Sequence, residues 1–113
     1  MVIVLIRTRM RANADLAAYE GLNGAMYELV QRIPGFLGVA GYTSPDGEEI
    51  GVARFESLES LRAWREHPDH VVARQRGRSE FYAAYTIEVC EVVRTTTFDM
   101  ASGEPVAPPP RVP

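Results

Sequence analysis

The chain contains no lysine; all 12 basic residues among its 113 are arginine. That absence reads as GC-rich coding rather than mechanism. Cysteine occurs once, as Cys90, so no internal disulfide can form, which fits a reducing cytoplasm. Long apolar runs are missing too. The stretch from Val2 to Ile6 stops at Arg7, too short for a signal h-region or a membrane span. An excess of positive charge is also absent. The formal net charge is −3 and the pI about 5.4, which disfavours a polyanion such as nucleic acid as partner. No phosphate loop and no Gly-x-Gly-x-x-Gly after a strand is present; Gly35, Gly38 and Gly41 follow another spacing.

What remains is ordinary globular composition, with 46% apolar and 24% charged residues. Two independent cores would each be too small to stand alone, so one domain is expected. It should span residues 1–98, followed by a Pro-rich tail over 99–113.

Residues 2–10 begin as a continuous β-branched and apolar run and then alternate, which predicts a central strand. Over 14–33 the period changes. Leu16, Tyr19, Asn23, Met26, Val30 and Ile33 fall at helical steps, with Asn13 as N-cap. Gly21 and Gly24 weaken such a helix, and a close approach by sheet or ligand would account for them. Pro34-Gly35 ends it. Residues 36–44 and 49–56 read as two strands joined at Pro45-Asp46-Gly47, an antiparallel hairpin. Ser57 opens a second helical region, which Pro68 splits by starting a second segment. Residues 84–97 alternate as a long final strand.

The order β-α-β-β-α-β predicts an α+β, ferredoxin-like fold, an antiparallel sheet with two helices on one face. The other face also carries apolar residues and needs a cover. Face-to-face packing of two copies would supply it, closing a dimeric α+β barrel. The last strand and tail would suit an exchange between subunits.

The string Ser57-x-x-x-Leu61-x-x-Trp64-x-x-His67-Pro68-x-His70-x-x-Ala73 follows a hairpin ending Arg54-Phe55-Glu56. Gly77-Arg78 and Phe81-Tyr82-x-x-Tyr85 come after it, and Pro34-Gly35-Phe36 follows the first helix. Over residues 2–98 this pattern resembles the antibiotic biosynthesis monooxygenase family. The resemblance implies a dimeric barrel with one pocket per subunit between sheet and helices. It implies O2 chemistry on aromatic polyketide-type substrates without a tightly bound cofactor. Some relatives use reduced flavin as co-substrate, and others degrade haem. The haem-degrading set is an Asn, a Trp and a His. Those positions fall on Ile6, Trp64 and near Arg74. The anthrone-oxidising set is an Asn, a Trp and a Tyr, which fall on Gly51, Phe55 and Leu61. Neither set is complete.

Ground-state O2 reacts slowly with closed-shell molecules. Without metal or flavin, the substrate must be its own reductant, as an enolate or phenolate. The protein then supplies a base, an apolar pocket and exclusion of water. The bases available are His67 and His70. His70 is the expected catalytic residue, with Trp64 beside it. Phe55, His67, Tyr27, Tyr82 and Arg74 are the expected substrate contacts. Read structurally instead, His67 is a capping histidine, the aromatics (Phe81 above all) are core, and Arg74, Arg76 and Arg78 are a solvated helix face. Arg7, Arg9 and Arg54 lie on strands, where an Arg on a buried face could pair with a carboxylate or a substrate enolate; the commoner reading is a dimer-face ion pair, with Glu88 or Glu91. Cys90 reads as a small core residue. A metal held by His67 and His70 lacks an evident third ligand, so none is expected. The alternatives to a monooxygenase are haem handling, with either histidine as axial ligand, and a non-catalytic dimeric module that binds a small ligand.

Overall fold

The computed structural model describes residues 1–101. Four strands and three helices follow one another as β1 (Val2–Met10), α1 (Leu16–Val30), β2 (Phe36–Thr43), β3 (Glu49–Phe55), α2 (Leu58–Arg65), α3 (Pro68–Arg76) and β4 (Tyr82–Glu91). A single π-helical turn, Gly77–Phe81, joins α3 to β4. The sheet order is β2-β3-β1-β4 and every pairing is antiparallel. This is the ferredoxin-like α+β fold.

The central place of β1 explains its unbroken apolar start, because both of its faces need cover. Alternation sorts the sheet into two sides. Val2, Val4 and Ile6 stand level with Phe55, Ala53 and Gly51 of β3 and with Val39 of β2. The core lies on this side: Val2, Val4, Val30, Ala53 and Phe55, with Ile6, Phe36, Val39, Leu61 and Trp64 packed against it. Ile3, Leu5, Val52 and Ala40 share the opposite, open side. Arg7 pairs there with Glu48 at 3.2 Å and Glu88 at 3.9 Å, so its partners lie within one chain.

The hairpin turns where the sequence says it should. Gly47 takes φ +90°, a conformation that suits glycine, and its N–H donates to Ser44 O. Ser57 caps α2 by accepting from the N–H of Ser60. Pro68 occupies the first turn of α3, where its missing N–H does no harm.

Several expectations need correction. The cap of α1 is Asp15, whose carboxylate accepts from Ala18 N–H, and not Asn13. Leu16 and Asn23 are exposed, while Ala18, Leu22, Met26, Leu29 and Val30 turn inward. A Cβ at Gly21 or Gly24 would meet nothing within 4 Å, so no close approach by the sheet explains them. The final strand runs from Tyr82 to Glu91 rather than over 84–97. Cys90 is exposed rather than core, because it stands opposite Ile3 on the open side of an edge strand. The Pro-rich tail from residue 102 lies outside the described residues. Among the described residues no helix is long and apolar enough to cross a membrane.

Candidate functional site

The junction of α2 and α3 brings three of the expected residues together. Trp64 sits in the last turn of α2, half-buried against the core. Pro68 forces a new helix start, and His70 falls in its first turn. The chain reverses enough between them for the two rings to stack. Their centroids are 4.1 Å apart and the planes differ by 16°. His70 Nδ1 lies 3.1 Å from the carbonyl oxygen of Trp64. A carbonyl only accepts, so the proton resides on Nδ1 and the lone pair on Nε2. Nε2 has no hydrogen-bond partner among the described residues, and no side-chain nitrogen there is both sealed and unpartnered. Nε2 is therefore reachable from solvent.

Burial pushes the His70 pKa down to about 4, assisted by the nearby charge of Arg74 and by His67, while the Trp64 carbonyl works the other way. The ring is neutral at pH 7.

His67 has a different task. Its Nδ1 accepts from Asp69 N–H at 3.1 Å and caps α3, with its ring 6.4 Å from that of Trp64. Arg74 donates to the carbonyl of Arg65 at 3.0 Å, closing the exposed end of α2. It borders His70 as a charge. Phe55 is 1% exposed and packs edge-on against Phe36 with centroids 5.5 Å apart. It belongs to the core cluster against which Trp64 packs. Tyr27 is 52% exposed on α1, with its carbonyl accepting from Gln31. Tyr82 belongs to a second aromatic group with Tyr19, Phe81 and Tyr85, each neighbouring pair of rings 5.4–5.8 Å apart. Phe81, at 1% exposure, is core as its structural reading had it.

Sequence reasoning missed what holds that second group. Arg11, just past β1, donates to the carbonyls of Arg78 (2.6 Å), Ser79 (2.8 Å) and Tyr82 (3.1 Å). Its backbone N–H reaches Phe81 O at 2.8 Å. One side chain thus satisfies the carbonyls that a π-helical turn leaves open, and such turns recur at functional sites. Gly77 suits this position, because a Cβ there would overlap the ring of Tyr82 unless the ring moved. The string Gly77-Arg78 followed by Phe81-Tyr82-x-x-Tyr85 was the available signal.

A groove of about 480 Å³ lies on the open side of the sheet, between Met1, Ile3, Arg54, Val92, Arg94 and Phe98. It is on the far side of the sheet from His70, where the cavity was expected beneath the split helix. Among the described residues, no three of His, Cys, Asp and Glu gather as ligands for a metal ion.

No family model matches the sequence. The uncharacterized protein YqjZ of Bacillus subtilis (strain 168) is 37% identical over 73 residues, 65% of this chain and 64% of that protein. The match thus spans under two-thirds of that relative's length. Solved structures share the fold over more of the chain. Rv0793 from Mycobacterium tuberculosis aligns with a TM-score of 0.73 at 23% identity, covering 85% of this chain and 98% of that one. SnoaB, a cofactor-independent oxygenase from Streptomyces nogalater, aligns at 0.69 and 14%, covering 83% and 94%. An antibiotic biosynthesis monooxygenase aligns at 0.70 and 10%, covering 83% and 100%. This chain therefore shares the fold of these structures, the cofactor-independent oxygenase and the antibiotic biosynthesis monooxygenase among them.

Proposed function

We propose that the chain is a small monooxygenase that acts with O2 on a planar, hydrophobic, enolic or quinoid aromatic substrate, without a tightly bound cofactor. The observation that supports this most is the state of His70: a neutral imidazole, fixed in plane by Trp64 and in tautomer by its carbonyl, offering Nε2 as acceptor. A base with a pKa of about 4 takes a proton cheaply only from an acidic hydroxyl. Transfer from an ordinary phenol, near pKa 10, would run uphill by about 8 kcal/mol. Acidic enols and hydroxyquinones therefore suit the site better than simple phenols. Their anions are electron-rich enough to pass an electron to O2. In an anthrone-type oxidation a ring CH2 becomes C=O, and its two hydrogens leave with the second oxygen atom as water.

The working unit in this reading is a homodimer. Ile3, Leu5, Ala40 and Val52 form an apolar patch on the open side, and a second copy facing it would complete a barrel. Leu5→Arg should halve the mass seen by light scattering. Unchanged mass in the variant would refute this face as the interface, and a monomeric wild type would refute the dimer.

The test of the reaction is O2 consumption with anthrone-type and hydroxyquinone-type substrates, with and without added reduced flavin. One O2 per substrate, falling at least 100-fold in His70→Ala, is expected. Binding without O2 uptake would make the chain a non-catalytic ligand-binding module. Nε2 with Nδ1–H on a carbonyl is also the form of imidazole that ligates iron. A sharp hemin Soret shift that His70→Ala abolishes, with no O2 uptake, would move the reading to haem.

A further inference from the structure

The tip of the β2–β3 hairpin carries the pair Asp46-Gly47. Left to itself, an Asp-Gly pair ages, because glycine has no side chain to keep its amide nitrogen off the neighbouring carboxyl. Nothing crowds the pair here. The Asp46 side chain is 66% exposed, and a Cβ on Gly47 would meet nothing within 4 Å. Water has access to the bond between them.

The Asp46 carboxylate is nevertheless held at both oxygens. Oδ1 accepts from Ser44 Oγ and, at 3.1 Å, from the N–H of Glu48. Oδ2 accepts from Arg9 Nη2 at 2.7 Å, and Arg9 Nη1 donates to the main-chain oxygen of Asp46 at 3.4 Å. The nitrogen that would attack is engaged as well, since Gly47 N–H donates to Ser44 O at 2.9 Å. Ser44, then Arg9 and the Glu48 N–H, keep the carboxyl well below the usual carboxylate range. It is therefore ionised at neutral pH, whereas ring closure needs the acid form, whose hydroxyl can leave as water.

The sheet register brings Arg9 to this place. Thr8 of β1 stands opposite Glu49 of β3, so the next residue of β1 falls beside the hairpin tip, although it is 37 residues from Asp46 in sequence. Arg7, on the same side of β1, holds Glu48 at 3.2 Å. The central strand thus fastens the turn through both arginines, and Ser44 N–H closes it on Glu48 O at 2.9 Å.

We infer that Asp46-Gly47 is a guarded isomerisation site: Arg9 and Ser44 hold the carboxylate off Gly47 N, and without them the bond converts to isoaspartate. In that conversion Gly47 N bonds to Asp46 Cγ, its proton and the carboxyl hydroxyl leave as water, and a cyclic imide forms. Water then adds at the Asp46 main-chain carbonyl carbon and breaks its bond to Gly47 N. The backbone now runs through the Asp46 side-chain methylene, and the old carbonyl has become the free carboxylate. Atoms balance with no oxidant and no change of mass. The lengthened turn carries its carboxylate away from Arg9 and Ser44.

The test ages the full chain at neutral pH, folded and in urea, and follows isoaspartate at residue 46 by peptide fragmentation mass spectrometry. The folded chain should form it about tenfold more slowly than the unfolded one. Folded Arg9→Gln should age about fivefold faster than wild type, and folded Ser44→Ala severalfold faster. Arg76→Gln, which removes the exposed Arg76–Glu80 pair, should age like wild type. In urea all of these chains should age alike. Equal rates in folded and unfolded wild type overturn the guard. So does a folded Arg9→Gln that ages at the wild-type rate, because the protection would then come from the turn backbone alone. Ser44→Ala carries the same test if Arg9→Gln loses its fold. A difference between variants that persists in urea also overturns the guard, since it would not depend on the folded turn.

Discussion

His70 gives its Nδ1 proton to the carbonyl of Trp64 and lays its ring on the indole of the same residue. One neighbour therefore sets both the tautomer and the plane of the imidazole. The arrangement needs the helix break at Pro68, because an unbroken helix would place residues 64 and 70 on different faces.

That burial makes acid stability a readout of His70. In the unfolded chain the imidazole titrates near 6.5, and in the fold near 4. Between those values the unfolded state binds the extra proton, so stability rises with pH across that window and falls on acidification. The ring is still partly reached by solvent, so the loss between pH 6.5 and pH 4 should be about 1–2 kcal/mol. Urea midpoints measured from pH 7 down to pH 4 should fall less steeply in His70→Gln. Parallel curves would mean that the ring titrates normally.

Gly77 and Tyr82 share one volume. A methyl at position 77 would have to displace the Tyr82 ring, which also meets Tyr19 through its hydroxyl. Gly77→Ala should cost about 1–3 kcal/mol by overpacking, and near-ultraviolet circular dichroism should register the tyrosine movement. A variant as stable as wild type would show that the ring can swing aside freely.

Phe55 was expected at a substrate wall and is sealed in the core. Phe55→Ala should lower stability by about 3–5 kcal/mol, read by denaturant titration. Phe55→Leu should fold and bind anthrone-type substrate as wild type does. A selective loss of ligand affinity in Phe55→Leu would return the residue to the site.

Gly24 lies inside α1 with open space where its Cβ would be. Gly24→Ala should therefore stabilise the chain by about 0.5–1 kcal/mol, through both helix propensity and the unfolded state. Thermal melting is the measurement, and a lower melting temperature would mean that something occupies the space.

The parts of this fold that read clearly are those governed by local rules. Alternation gave β2 and β3, Gly47 the turn between them, Ser57 a cap and Pro68 a restart. Their causes lie within a few residues of each other. The parts that read poorly depend on distant partners. The π-helical turn at 77–81 exists because Arg11, some 70 residues earlier, holds its carbonyls. Cys90 and Val92 alternate like core residues, but nothing in their own neighbourhood says that β4 is an edge. Phe55 and Tyr27 are both aromatic, and only packing tells that one is sealed and the other faces water. At the site, Trp64 and His70 were legible as candidates from spacing and resemblance. Their stacking was not, because it depends on the angle between two helices.

The order of strands sets a timetable for synthesis. β1 is made first and lies at the centre, pairing with β3 through Phe55 and with β4 through Glu91. Neither neighbour exists when β1 leaves the ribosome. Its sticky backbone waits for about half of the chain before β3 exists, and for most of it before β4 does. Folding should thus be late, governed by distant closures, and open to self-association meanwhile.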